Sequence, residues 1–292
     1  MAVLPATSAS DSALVEFARR EPLGLAALTV ILLLLAAAAL ADFIAPYSPF
    51  ENDYGAMLSA PSASHWLGTD NYGRDILTRI VYGARPALIV GFVSSFAGCT
   101  VGALVGTLSA YFRGWVDLAV QRLVDIILTI PVVVIAIVAS VVLGHNQVGV
   151  VDLNLIAAIS FAVMPPVVRV VRSAALSVRE MEYIDAARTS GFSTARIILR
   201  HMLPNVAAPY LIMLTGYIGQ AILLGAALTY VGMGVSEPQP DWGLMLAGEA
   251  ANFYREAPWM IIAPGLAVTV TVFAFNLLGD SLRNWLDPRF AE

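Results

Sequence analysis

The residues of this chain that could carry chemistry are few, and their types exclude most reactions. All sixteen basic residues are arginines. Without lysine, the chain cannot supply the lysine of a phosphate-binding loop, a Schiff base or a lysine general base. The single cysteine, Cys99, cannot form an internal disulfide, and the three histidines are too scattered to indicate a metal site. We therefore expect no catalytic site, no metal and no cofactor in this chain.

One polar stretch, residues 180–191, has a spacing that indicates a function. It reads EMEYIDAARTSG. Acidic residues at its start and Arg188 near its end suit a helix dipole, and Gly191 can end the helix in a left-handed conformation. Ser193 can then cap a second helix, which we expect to end near Pro204 because proline breaks the hydrogen-bond ladder. A helical hairpin too small for its own core, with two adjacent alanines on its surface, predicts docking to another protein.

The elements that position this hairpin follow from the composition. Hydrophobic residues make up 59% of the 292 residues, and charged residues make up 13%, about half the charged share of a typical soluble domain. Six apolar runs are each long enough to cross a bilayer, which takes about 20 residues. They lie at roughly 23–45, 86–111, 118–143, 153–172, 206–233 and 259–279. The sequence predicts an all-α, polytopic membrane protein with about six transmembrane helices.

The arginines predict how these helices are oriented. With the amino terminus inside, twelve arginines lie on or near the cytoplasmic side, and only Arg74, Arg79, Arg85 and Arg255 lie on the other. Cytoplasmic segments are enriched in Lys and Arg, so we expect both termini on the cytoplasmic side of the cell (inner or plasma) membrane. The predicted order is a cytoplasmic segment 1–22, a first transmembrane helix 23–45, an extracytoplasmic segment 46–84, a five-helix core 85–280 that includes the loop 173–203, and a cytoplasmic tail 281–292.

The apolar runs also carry information about packing and mechanism. Gly98, Gly102 and Gly106 recur every four residues, and on a helix they form one smooth ridge that predicts a close helix–helix contact. We find no charged residue at the predicted centre of any run, whereas ion-coupled carriers usually need one. A cleaved signal peptide is the alternative for the first run, because Ala39-Leu40-Ala41 resembles a cleavage site. The net charge of −5 argues against a nucleic-acid partner.

The polar stretch resembles a known motif. Asp185-Ala186-Ala187, then Gly191, then Leu203-Pro204 is similar to the EAA loop of ABC importer permeases, with Asp in place of Glu at 185 and His201 where an apolar residue is common. The resemblance implies a type I ABC importer permease-like fold, in which this loop holds the coupling helix that docks on an ATPase subunit. It assigns that contact to Tyr183, Ile184, Asp185, Ala186, Ala187, Ser190 and Gly191.

A second resemblance covers about residues 20–290 and narrows the family. The matching motifs are His65-Trp66-Leu67-Gly68-Thr69-Asp70 with Gly73-Arg74-Asp75; Gly102, Gly106, Tyr111, Gly114, Asp117, Arg122, Asp125 and Pro131; and Pro264-Gly265, Phe275-Asn276-Leu277-Leu278-Gly279-Asp280 and Leu286-Asp287-Pro288-Arg289. Together they resemble the C-type permease subunit of dipeptide and oligopeptide importers, a family that also includes nickel importers. Arg113 replaces a common glycine in the turn before Gly114.

The resemblance implies a function and a set of partners. The chain is expected to form half of the pathway of an ATP-driven peptide importer, beside a homologous B-type permease, with membrane lipid around it. An extracytoplasmic binding protein delivers the peptide, and ABC ATPase subunits bind ATP and Mg and hydrolyse the ATP, so the chain itself is not an enzyme. Thr215, Gln220 and Asn276 are the candidates for the pathway; these groups are uncharged, so we expect the binding protein to select the peptide.

Three alternatives remain open on the sequence alone. The same architecture could import nickel or another small solute. An ion-coupled secondary transporter would instead need ionisable residues within the spans. An intramembrane enzyme would need a Ser/His pair or two carboxylates at membrane depth, and the predicted spans contain neither.

Overall fold

The computed structural model describes Phe17 and residues 19–286. Within this part the regular structure is helical except for two antiparallel strands of two residues, β1 (Gln147–Val148) and β2 (Val151–Asp152), which confirms the predicted all-α class. The principal helices are α1 (Pro22–Ala39), α2 (Ile76–Phe112), α3 (Gly114–Leu128), α4 (Val132–Leu143), α5 (Leu153–Arg179), α6 (Glu182–Thr189), α7 (Thr194–Ile197), α8 (Ala207–Tyr230) and α9 (Trp259–Leu286). One-turn helices at Ala41–Ile44, Tyr54–Ala56, Trp242–Leu246 and Glu249–Asn252 lie in the connections.

Five stretches of the described chain are long and apolar enough to cross a membrane. They are α1, α2, α5, the stretch Thr194–Tyr230 that contains α8, and α9. Helices α3 and α4 qualify as a sixth span only together, and the two are bent by 97° relative to each other. The prediction of a plain span at 118–143 therefore missed this break, whose cause is Pro131: it lacks an N–H and disfavours helical geometry in the residue before it.

The predicted glycine ridge lies at the centre of the bundle, where α2 packs along α5 in the same direction. A Cβ at Gly98 would lie 2.5 Å from the Ser160 carbonyl oxygen, and one at Gly106 would lie 2.6 Å from the Val168 carbonyl oxygen. Only glycine permits so close an approach of two backbones. The predicted helix–helix contact is confirmed, and its partner is α5.

The two ends of the bundle differ in charge. One end carries residues 112–114, 179–206 and 283, which include six arginines; we call it the arginine-rich end. The other, arginine-poor end carries residues 40–75, 144–152 and 231–258. Two of the apolar clusters of the bundle mark these two ends. The cluster near the arginine-poor end contains Val90, Leu155 and Leu228, and the cluster near the arginine-rich end contains Ala110, Ala175 and Ile184.

Helices α1 and α9 pack together and extend the bundle. Gly24 lies so close to Ser281 that a Cβ there would be 2.5 Å from the Ser281 Cβ, and Phe17 meets Trp285 edge to face at 5.9 Å. Helix α9 therefore continues into the predicted tail 281–292. Likewise α2 starts inside the predicted segment 46–84, where the Asp75 carboxylate caps its first turn. Positions 1–16, 18 and 287–292 lie outside the described residues, and with them most of the predicted segment 1–22 and the motif residues Asp287, Pro288 and Arg289.

The turn between α2 and α3 uses two residues with positive φ. Arg113 has φ 55° and ψ −161°, and Gly114 has φ 56°. The Arg113 conformation is one that glycine adopts easily and that costs other residues about 1–3 kcal/mol. This explains why glycine is common at this position in the family that the sequence resembles. The Arg113 side chain forms an ion pair with Glu180, which holds this turn against the end of α5.

Candidate functional site

The loop at the arginine-rich end forms the predicted helical hairpin. Helix α6 has Glu182 and Asp185 in its first turn and Arg188 in its last, the charge order that a helix dipole favours. Gly191 has φ +73° and turns the chain directly after the helix. The Ser193 hydroxyl accepts a hydrogen bond from the Arg196 N–H and caps the second arm.

The prediction that the second arm ends near Pro204 is wrong. Helix α7 continues as a π-helical turn, Ile198–Met202, and a 3-10 turn, Leu203–Val206, directly into α8. Proline is tolerated there because the change of helix type absorbs its missing N–H and the bulk of its ring. The second arm is therefore the first part of a membrane-spanning stretch, so a movement of the hairpin can pass directly to α8.

The seven residues predicted to contact an ATPase fall into two groups. Ile184 and Ala187 are buried and pack into the apolar cluster that also contains Ala110 of α2 and Ala175 of α5. The exposed group consists of Tyr183, Asp185, Ala186, Ser190 and Gly191. The buried pair fixes α6 to the bundle, and the exposed group forms a surface whose small residues are Ala186, Ser190 and Gly191.

His201 is, with Asp185, one of the two residues at which the loop departs from the motif that it resembles. Its ring stacks on Phe192 at 6.0 Å between centroids and lies 6.4 Å from Tyr183. Within the described residues its buried Nε2 atom has no hydrogen-bond partner. The ring thus takes the packing role of an apolar residue and leaves a polar nitrogen unsatisfied.

The hairpin is held to the bundle by polar contacts as well. Arg179, at the end of α5, donates a hydrogen bond from Nε to the Tyr111 carbonyl oxygen at 3.0 Å. The Arg188 guanidinium lies over the Tyr111 ring at 5.4 Å. Together with the ion pair of Arg113 and Glu180, these contacts join the ends of α2 and α5 to the hairpin.

The three predicted pathway residues do not form one site. Thr215 lies on α8 beside Gly279 of α9, and its hydroxyl donates a hydrogen bond to the Leu211 carbonyl oxygen at 3.0 Å within its own helix. Asn276 is exposed on α9, with its Oδ1 beside Gly219. Gln220 is exposed on α8. Thr215 and Asn276 lie at the contact of α8 with α9, and their role in a pathway stays a prediction.

Sequence reasoning missed a charged ladder along α3 and α5. Asp117, Gln121 and Asp125 follow each other at helical spacing on α3. Asp117 forms an ion pair with Arg172 of α5, whose Nε lies 2.5 Å from the carboxylate, and Asp125 forms one with Arg169. The signal was present as acidic residues at i and i+8 on one helix, with a glutamine at i+4 between them, and arginines at i and i+3 on another. The partners could not be matched without the packing of the helices.

A second charged network lies at the arginine-poor end. Arg74 donates hydrogen bonds to Asp70 and to Glu237, both at 2.6 Å, and so joins segments far apart in the sequence. Burial lowers the pKa of Arg74, but the bonds to Glu237 and Asp70 outweigh it and raise that pKa above its usual value. The Trp259 indole donates to the Thr69 carbonyl oxygen at 3.0 Å. These contacts hold the segment 46–75 on the end of the bundle. Asp70, Arg74 and Glu237 also line a cavity of about 220 Å³ together with Arg79.

A buried carboxyl lies near this network. Asp241 caps the one-turn helix that starts at Trp242, and burial raises its pKa to about 6, although the backbone N–H groups of Leu244 and Gly243 lower it. Because this pKa is above the ordinary value of 3.8, ionisation of Asp241 costs folding free energy. This destabilisation grows as the pH rises from about 4 to about 6, and above this range it stays at its full value.

Comparison with known proteins gives the same picture over most of the chain. A family model described as binding-protein-dependent transport system inner membrane component matches residues 98–292. A model of the N-terminal transmembrane domain of oligopeptide transport permease C matches residues 18–61.

Curated relatives and solved structures match as well. The dipeptide transport system permease protein DppC of Alkalihalophilus pseudofirmus is 38% identical over 271 residues, 93% of this chain and 87% of that protein. The glutathione transport system permease protein GsiD of Pectobacterium atrosepticum is 36% identical over 92% of this chain and 88% of that protein. A structure of the MetNI methionine ABC transporter in an inward-facing conformation matches 73% of this chain and 98% of its own, with a TM-score of 0.55 and 19% identity, and supports the fold.

Proposed function

The chain belongs to the family of binding-protein-dependent transport system inner membrane components, and on that premise we propose that it is the permease subunit of an ATP-driven importer of short peptides. The peptide cargo is supported by the relatives at 36–38% identity, whose names specify dipeptide and glutathione transport. Both cargoes are short peptides with charged groups at their ends. The match to an oligopeptide permease C model over residues 18–61 points to the same subclass.

The hairpin with α6 is the observation that carries the coupling role. Its exposed group, with the small residues Ala186, Ser190 and Gly191, offers a surface that a partner can approach closely, and its buried pair joins α6 to α2 and α5. An ATPase subunit docked on this surface would move α6, and the shared apolar cluster would pass that movement to the central helices. In this role ATP binding shifts an equilibrium between inward- and outward-facing states of the bundle.

The partners follow from this role. A homologous second permease completes the pathway, ATPase subunits bind ATP and Mg and carry out hydrolysis, and a binding protein outside the membrane delivers the peptide. The arginine-rich end faces the cytoplasm in this arrangement, together with both termini. The cavity and the Arg74 network at the arginine-poor end then face outside.

Uptake of peptide by the reconstituted complex tests the function. Proteoliposomes that contain both permeases, the ATPase subunits and the binding protein are expected to accumulate radiolabelled trialanine when ATP is present. Uptake is expected to require the binding protein, which selects the peptide, and the complex without it should not bind peptide with sub-micromolar affinity. Uptake driven by an ion gradient without ATP, or accumulation of nickel and not of peptide, would contradict the proposal.

The orientation has its own test. In the Cys99→Ala background, which removes the only cysteine, we expect Ala60→Cys to react with an impermeant thiol reagent added outside intact cells, because Ala60 is exposed in the segment 46–75. The control is Ser190→Cys at the exposed surface of the hairpin, which should react only in inverted vesicles. The reverse pattern would show that the arginine-rich end faces outside.

A further inference from the structure

The ion pair of Asp125 and Arg169 is exposed although it lies among membrane-spanning helices. The side chain of Arg169 is 55% exposed and that of Asp125 is 45% exposed. Within the described residues, the only hydrogen bond of the Arg169 guanidinium is the one to Asp125. A guanidinium has five N–H donors, so most of the donors of Arg169 are open to the surroundings of this subunit.

The depth of this pair follows from the length of α2. Arg85 pairs with Asp42 near one end of the helix and Arg113 pairs with Glu180 at the other, about 42 Å apart along the axis. This length equals the thickness of a bilayer with its headgroups, so the middle of the membrane lies near Cys99. Gly106 is about 10 Å from that middle, inside the hydrocarbon half-thickness of roughly 15 Å. It touches Val168, the residue next to Arg169.

Two further features place the charged groups within the membrane and not at its surface. Side chains on a helix tilt toward its amino terminus, which for α5 is the arginine-poor end, so Arg169 starts toward the membrane centre. Ile127, two residues after Asp125, packs against the cluster of Val90 and Leu155 in the opposite half of the bundle. Asp125 therefore lies just before the break between α3 and α4, deep in the membrane.

Water suits such a pair best in the assembled transporter. Lipid would leave an ionised carboxylate and several guanidinium donors in hydrocarbon, which is strongly unfavourable. A dry contact with another helix would bury the pair, and burial is offset only when additional hydrogen bonds satisfy both groups. We propose that Asp125 and Arg169 line the water-filled passage of the transporter, and that they contact the charged ends of the cargo as it passes.

The chemistry of the pair suits a peptide, and this step rests on the proposed function. Arg169 can bind a terminal carboxylate through two N–H donors, and Asp125 can accept from a terminal ammonium group. Arg169 and Asp125 already bind each other. Each can therefore exchange its partner for an end of the peptide and return to the ion pair when the peptide leaves, so release is easy. The neutral residues on α8 and α9 can offer only weaker, uncharged hydrogen bonds to these groups.

The experiment uses thiol labelling in the complete complex in the Cys99→Ala background. Asp125→Cys and Arg169→Cys are each treated with an anionic, membrane-impermeant methanethiosulfonate. The matched controls are Leu123→Cys and Val170→Cys, which lie at similar depth on the same helices and are also exposed, 63% and 40%. We expect the first two variants to react about tenfold faster than the controls in at least one nucleotide state, because thiols in hydrocarbon are not reached by an anion. Saturating trialanine with the binding protein should slow that reaction.

The outcomes separate this inference from the proposed function. Labelling of Asp125→Cys and Arg169→Cys no faster than of the controls, with and without ATP, would show that the pair does not line a passage. Fast labelling that trialanine leaves unchanged would overturn the contact with cargo. If the complex without substitutions takes up no peptide while the labelling difference persists, the proposed cargo is wrong and the water-lined site stands.

Discussion

Gly98→Ala is expected to destabilise the bundle by about 1–3 kcal/mol, the usual cost of inserting a group into a well-packed interior. The new Cβ would lie 2.5 Å from the Ser160 carbonyl oxygen and 2.5 Å from the Val163 side chain. A backbone oxygen cannot move away by a change of rotamer, as the end of a flexible side chain can, so α2 and α5 must separate. The measurement is the thermal unfolding midpoint of the purified complex in detergent.

Gly216→Ala is the matched control. Gly216 also lies within a spanning helix, α8, but a Cβ at that position would meet no atom within 4 Å. There the change should be neutral or should raise stability by up to about 1 kcal/mol, because alanine favours helix more than glycine does. Equal midpoints for the two variants would show that the contact between α2 and α5 is not close enough to require glycine.

Gly191→Val is expected to abolish peptide-stimulated ATP hydrolysis and uptake while the complex stays assembled. Gly191 has φ +73°, where a β-branched residue is strained, and the space around it is open. The cost of about 1–3 kcal/mol therefore comes from the backbone and is relieved when the hairpin changes shape. The measurement is ATPase activity of the reconstituted complex with and without peptide-loaded binding protein.

Gly191→Asn is the control for this change, because asparagine tolerates a left-handed conformation and should retain most of the coupling. If the valine variant couples as well as the asparagine variant, the geometry of the corner does not matter for transmission.

A charge reversal tests the same surface independently. Asp185→Lys removes the ion pair with Arg188 and puts a cation near the start of α6, whereas Asp185→Glu keeps the charge, so only the lysine variant should lose stimulation.

The break between α3 and α4 gives the bundle a feature that is common in transporters. Discontinuous helices near the middle of the membrane expose polar groups that a continuous helix would hide. Here the break follows Asp125 closely, and the Asp125 carboxylate lies beside Arg169 on the surface of the subunit. The network of Arg74 and Glu237 at the opposite end is different, since the Arg74 side chain is only 6% exposed whereas that of Arg169 is 55% exposed.

The sequence by itself determined the elements and their order. Long apolar runs must span a bilayer because an unsatisfied backbone in lipid is costly, so the number of spans was readable without any tertiary information. The helical hairpin could also be predicted, because Gly191 and Ser193 act through the local backbone. The ridge of Gly98, Gly102 and Gly106 could be predicted from its spacing along one helix. These features depend on contacts within a few residues, or on a periodicity along one helix.

The tertiary structure alone decided which elements meet. It determined that the glycine ridge faces α5, that Pro204 is absorbed into a continuous stretch, and that Ile184 and Ala187 are anchors while Asp185 and Ala186 stay exposed. It also joined Asp125 to Arg169 across a long stretch of sequence. The physical reason is that ion pairs and helix contacts depend on distance in space, and a sequence pattern fixes the face of a helix but not the neighbour that covers it.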